Sequence, residues 1–114
     1  MPNQQSTPET LNAVFAALSD ATRRALVERL AKGPAAVSEL AEPFDMALPS
    51  LMQHLATLER GGLVESEKDG RVRTYRLAPQ ALRPAELWLN RQRDRWNTRL
   101  DQLDSLLLSQ RRKK

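Results

Sequence analysis

The chain of 114 residues has no cysteine, one histidine, four glycines, and only two tryptophans, one tyrosine and two phenylalanines. Without cysteine there is no disulfide, no thiolate metal site and no cysteine nucleophile. The lone His54 cannot build a metal centre unaided, and no glycine-rich phosphate loop is present. The scattered carboxylates then read as surface charge, which leaves no catalytic constellation. Neither an enzyme nor a bound cofactor is expected. No apolar run approaches the roughly 18 residues that cross a bilayer, and residues 1–10 lack the basic-then-apolar pattern of a secretion signal. The expectation is a cytoplasmic protein without membrane contact.

Charge of one sign is also scarcer than the totals suggest. Lys and Arg number 18 against 14 acidic residues, a net charge of +4. Residues 111–114, Arg-Arg-Lys-Lys, supply all of that excess, and the remainder of the chain sums to zero. Net charge therefore says nothing about nucleic acid by itself, and the placement of individual cations has to carry the argument.

The apolar residues are ordered in helical stripes. Residues 1–8 read as a disordered arm, the body as one domain over 9–109, and 110–114 as a basic tail. A first helix starts near Thr7 or Pro8, with Leu11, Val14, Phe15 and Leu18 on one stripe. Ser19-Asp20 caps a second helix from Ala21 to about Lys32, ended by Gly33-Pro34. A short third helix fits residues 37–44, with Leu40 and Phe44 inward, kinked or cut short at Pro43. Pro49 suits the first position of a fourth, which ends at Gly61-Gly62. Residues 63–68 and 71–77 flank Asp69-Gly70 as a hairpin. Residues 79–84 form a linker, and residues 85 to about 109 form one long helix. The predicted class is mainly α with a small β-hairpin wing, in the order α-α-α-α-β-β-α: a winged helix-turn-helix.

On the fourth helix, Leu51, Leu55 and Leu58 lie within about 40° of one another and form its core stripe. The opposite face holds Pro49, Gln53, Ala56 and Arg60, flanked by Ser50 and Thr57. Small and polar groups there suit entry into a major groove, Gln53 bonding an adenine edge and Ser50 or Thr57 a base or phosphate. The same face also fits a merely solvated helix. His54 lies at the border of the stripe, either as a half-buried structural histidine or as a DNA contact. In the hairpin, an Asp69-Gly70 turn sets Lys68 opposite Arg71 and Ser66 opposite Arg73, with Arg71, Arg73, Tyr75 and Leu77 on one face. Like charges directly opposed are destabilising, and a phosphate backbone would relieve them; a solvated hairpin with incidental charge is the other reading. Nearby Glu65, Glu67 and Asp69 temper the field.

On the last helix, Leu89, Trp96, Leu100, Leu103 and Leu107 fall within about 40° of a common line, with Trp88 and Leu106 beside it. So wide a stripe exceeds what a small helical core covers, and self-association through a two-fold interface is expected to bury the rest; a helix folded back wholly onto its own domain is the other reading. Leu11 and Phe15 of the first helix are expected to contribute.

Four segments, FAALSDATRR from Phe15, VSELA from Val37, LATLERGGLV from Leu55 and GRVRTYRL from Gly70, resemble the ArsR family of bacterial winged-helix regulators. The resemblance spans about residues 9–108. The tryptophan-bearing last helix resembles a subgroup without obvious metal-binding motifs. It implies a homodimer formed by the first and last helices, with two recognition helices in successive major grooves of an operator. It also implies repression of a promoter, often the regulator's own, relieved by an effector whose nature is not legible. By position, Ser50, Gln53 and His54 match the family's recognition-helix contacts, and Arg71 and Arg73 its wing. The cysteine motif of the arsenic and cadmium sensors would fall near residues 37–40, where no cysteine stands. The family's last-helix zinc site finds no histidine here, and Asp94, Asp101 and Asp104 are a poor zinc set. The expected DNA contacts are Ser50, Gln53, His54, Thr57, Lys68, Arg71 and Arg73. A winged-helix module for protein contacts is the alternative, since fold does not dictate use. It would call for an apolar recognition face.

Overall fold

A computed structural model describes residues 7–112. The expectations for residues 1–6 and 113–114 lie outside the described residues. The chain divides into two units, residues 1–84 and 85–114.

The first unit opens with helix α1 (Pro8–Ala17). Thr7 caps it, its hydroxyl accepting the Thr10 N–H at 3.1 Å, and Pro8 takes the first turn, where a missing N–H costs nothing. The stripe differs from the one expected. Val14 and Ala17 are buried, Leu11 and Leu18 are half-buried, and Phe15 is 39% exposed. Small Ala17 takes the inward place because α4 runs close by: a Cβ on Gly61 would meet the Ala17 Cβ at 3.3 Å. Helix α2 (Ala21–Leu30) buries Leu26 and Leu30 and ends slightly before Lys32.

A strand that periodicity did not foresee follows. β1 (Ala35–Ala36) pairs antiparallel with the later strand β3, Ala35 opposite Tyr75. Two alanines carry no β-propensity; they form a strand because β3 offers them an open edge. The order is therefore α-α-β-α-α-β-β-α, and the sheet has three strands, β1-β3-β2. Helix α3 (Val37–Ala41) stops before Pro43, with Leu40 buried and Phe44 only half-buried. Helix α4 (Leu48–Arg60) starts one residue earlier than expected, with Pro49 second.

Helix α4 ends in a Schellman motif. Leu63 N–H bonds Leu58 C=O and Gly62 N–H bonds Glu59 C=O, both at 3.0 Å. Gly62 sits at φ +77°, which only glycine adopts readily. Leu58 and Leu63, fully buried, close the apolar side of the motif. Together with Leu26, Leu40, Leu51 and Leu55 they form the core. Each such leucine contributes about 2 kcal/mol by area.

Strands β2 (Val64–Asp69) and β3 (Val72–Leu77) form the wing. Here the register departs from the sequence reading. Asp69 faces Val72, so the two-residue turn is Gly70-Arg71, not Asp69-Gly70. Only Gly70 has positive φ, +66°, the pattern of a type II′ turn, whereas an Asp-Gly type I′ turn would also force Asp69 positive. Lys68 consequently lies opposite Arg73, not Arg71, and Ser66 opposite Tyr75, not Arg73. The slide spans two residues, so every side chain keeps its face. It also sets Glu65 directly opposite Arg76, a favourable pair.

Helix α5 (Arg83–Arg112) takes in the end of the expected linker and runs past Ser109. Its 30 residues span about 45 Å. Leu89, Trp96, Leu100, Leu103 and Leu107 are all exposed along it. Among the described residues no helix is long and apolar enough to cross a membrane.

Candidate nucleic-acid interface

The core leucines dictate which face of α4 turns outward. With Leu51, Leu55 and Leu58 buried, Pro49, Ser50, Gln53 and Arg60 are exposed and Ala56 and Thr57 half-buried. Nothing bulky stands on this face between its two ends. Thr57 donates its hydroxyl to the Gln53 carbonyl at 3.0 Å and accepts from Arg60 Nη2 at 3.2 Å. That holds Arg60 along the helix beside Gln53.

His54 lies at the flank of this face and is half-buried. Its Nδ1 meets Arg23 Nη1 at 3.1 Å, while Asp20 Oδ2 stands 3.8 Å away. Arg23 also donates Nε to Ala17 C=O at 2.7 Å and Nη2 to Ala16 C=O at 3.1 Å. One guanidinium thus satisfies the end of α1 and joins it to α4. Sequence reasoning missed Arg23 because its partner His54 stands 31 positions away and no local period links them.

Asp20 caps α2 by accepting the Arg23 backbone N–H at 3.1 Å. That bond, with help from the nearby His54 and Arg23 charges against some desolvation, holds its carboxyl below the ordinary value. A lowered carboxyl pKa stabilises the fold above the unfolded-state value of about 3.9, and the benefit disappears as pH falls through the folded value. Asparagine caps equally well but does not titrate. Thermal melts of Asp20→Asn should therefore show a shallower loss of stability than the parent chain as pH falls from about 5 to 2. Parallel curves would show that Asp20 contributes no such linkage.

The wing separates its charges by face. On the outer side Arg76 binds Glu65 (Nη2 at 3.1 Å, Nε at 3.2 Å) and reaches Glu67 at 3.5 Å. These two acids therefore do not face Lys68 and Arg73. On the other side Arg73 Nη1 donates to Ser66 Oγ at 2.9 Å, and Ser66 Oγ donates to Glu59 Oε2 of α4 at 3.2 Å. Arg73 is half-buried and tied to α4 through that relay, whereas Lys68 and Arg71 are exposed at the tip. Tyr75 is buried at the root, and burial, with the Glu59 charge nearby, pushes its phenol above the usual range. Neither Glu59 nor Ser66 was singled out from sequence, since the relay crosses two elements. Among the described residues, no three His, Asp or Glu side chains converge to hold a metal ion.

A small polar helix face and a cationic hairpin tip belong to one compact unit, the arrangement of a winged helix-turn-helix. A helix-turn-helix domain family model matches residues 18–67. The HTH-type transcriptional regulator Rv2034 of Mycobacterium tuberculosis is 44% identical over 77 residues, covering 68% of this chain and 72% of that protein. A crystal structure of an ArsR family transcriptional regulator, RHA00566, is 49% identical with a TM-score of 0.77, covering 82% of this chain and 97% of that one. The homodimeric winged helix-turn-helix DNA-binding domain Mb0332 of Mycobacterium bovis, solved by NMR, is 29% identical with a TM-score of 0.61, covering 80% and 87%. The chain belongs to the ArsR family of winged helix-turn-helix, DNA-binding transcriptional regulators.

Proposed function

We propose that the chain is a sequence-specific transcriptional repressor that binds a near-palindromic operator as a homodimer. The observation that carries this is the exposed, unbulky polar face of α4 set beside the cationic wing tip within a family of DNA-binding regulators. Two α4 helices one DNA turn apart, about 34 Å, would read successive major grooves. Gln53, with its primary amide, takes an adenine edge; Ser50 and Thr57 take a base or phosphate; Lys68, Arg71 and Arg73 take the backbone. The homodimeric relative and the exposed stripe of α5 support pairing, to which Leu11 and Phe15 of α1 add apolar surface. A dimer seated across a promoter blocks polymerase, and where that promoter is its own the protein limits its own supply. The setting is the cytoplasm.

Selection of bound fragments from genomic DNA at a stated salt concentration, followed by footprinting, tests the reading. A protected, near-palindromic stretch covering two successive major grooves is expected, and protection of one asymmetric half-turn would refute the paired geometry. The wing is tested through salt. Arg71 is exposed at the turn, so Arg71→Ala should weaken binding to all sequences alike. Because each of two protomers loses one phosphate contact, the salt slope should flatten by about 1.8. An unchanged slope would remove Arg71 from the interface.

A further inference from the structure

We infer that Arg23 is a positioning residue for DNA binding, holding His54 so that its Nε2–H is presented to a phosphate oxygen on the wall of the groove. The inference rests on α4 being the helix that enters DNA.

A guanidinium only donates hydrogen bonds. With Arg23 Nη1 at 3.1 Å, Nδ1 of His54 must be the acceptor, and the neutral ring then carries its proton on Nε2. Arg23 cannot easily swing away, because Ala17 and Ala16 carbonyls hold its other nitrogens at 2.7 and 3.1 Å. The competing acceptor, Asp20 Oδ2, is 3.8 Å from Nδ1, beyond hydrogen-bond reach, and is engaged by the Arg23 backbone N–H. Among the described residues Nε2 has no protein partner and no buried side-chain nitrogen lacks one, so Nε2 lies where solvent or a ligand reaches it. At 100° per residue His54 sits about 120° from the centre of the outward face, on the side of Ser50 one turn earlier. A helix lying in a groove turns its centre to the bases and its flanks to the sugar–phosphate walls, which places a phosphate before this N–H.

The test combines histidine ¹⁵N NMR of the free full-length chain with binding to its selected operator. The parent chain should show the Nε2–H tautomer at alkaline pH. Arg23→Met should move the population toward Nδ1–H, because Asp20 becomes the nearest partner. His54→Asn keeps an acceptor toward Arg23 but lacks the outward N–H. It should melt like the parent and bind about fivefold more weakly. That factor should be the same for every operator variant, and the salt slope should not change, because a neutral donor displaces no counterion. His54→Gln, whose amide N–H reaches outward, should restore binding to within about twofold. An Nδ1–H tautomer in the parent, an unmoved tautomer in Arg23→Met, or full affinity in His54→Asn would overturn the inference. Failure of the parent chain to bind any DNA would overturn the proposed function as well, and the tautomer result would still judge the Arg23–His54 bond separately.

Discussion

Replacing Trp96 with alanine should move the sedimenting species from twice the chain mass to the single-chain mass and weaken operator binding at least a hundredfold. Trp96 is 61% exposed, midway along α5, on a line with Leu89, Leu100, Leu103 and Leu107. A tryptophan at the centre of an interface costs about 2 kcal/mol or more when truncated, roughly a thirtyfold change in dimer dissociation. In the proposed dimer two α4 helices act on one duplex through effective concentration, so losing the pair would remove far more operator affinity than any single DNA contact supplies. Because Trp96 can also affect the fold of its own protomer, Leu103→Glu is the companion variant. It puts a charge on the same apolar line of each protomer. Both variants should retain the helical content of the parent chain. An unchanged mass for both would place the apolar line of α5 outside the interface.

The second large effect concerns sequence preference. Gln53→Ala should relax discrimination at one base position per half-site by about 1–3 kcal/mol, roughly 5- to 150-fold, while leaving the salt slope untouched. Gln53 is exposed on the face opposite Leu51, Leu55 and Leu58, and its backbone carbonyl accepts from Thr57, but its amide is not held by the helix. An amide offers a donor and an acceptor side by side, the complement of the adenine N6–H and N7 edge. Arg71→Ala is the control, because a phosphate contact lowers affinity for all sequences and flattens the slope. Equal effects of the two variants on random DNA would show that base and backbone roles are misassigned.

These two results would also bear on each other. If Trp96→Ala abolishes binding while Gln53→Ala only broadens it, affinity is a property of the pair and preference a property of α4. The relay from Arg73 through Ser66 to Glu59 adds a link between wing and helix. It gives Arg73 a structural share in the wing's position besides any phosphate contact, which is why Arg71 is the cleaner probe of charge.

By itself the sequence determined the helices, their outward faces and the family. Leu51, Leu55 and Leu58 recur at helical spacing, so burying them leaves Gln53 and Arg60 no direction but out. Gly61-Gly62 stops α4 because the chain there needs a left-handed residue. Such periodic and conformational signals are local, and a linear reading captures them. Tertiary structure decided what depends on partners distant along the chain. Ala35-Ala36 became a strand only because β3 had an edge to fill. The wing took a Gly70-Arg71 turn, a register in which Glu65 of one strand gains Arg76 of the other. Phe15 gave its inward place to Ala17 where α4 passes close. Arg23 found His54 across 31 positions. In each case the deciding energy is a contact between elements, and no spacing within a single element encodes it.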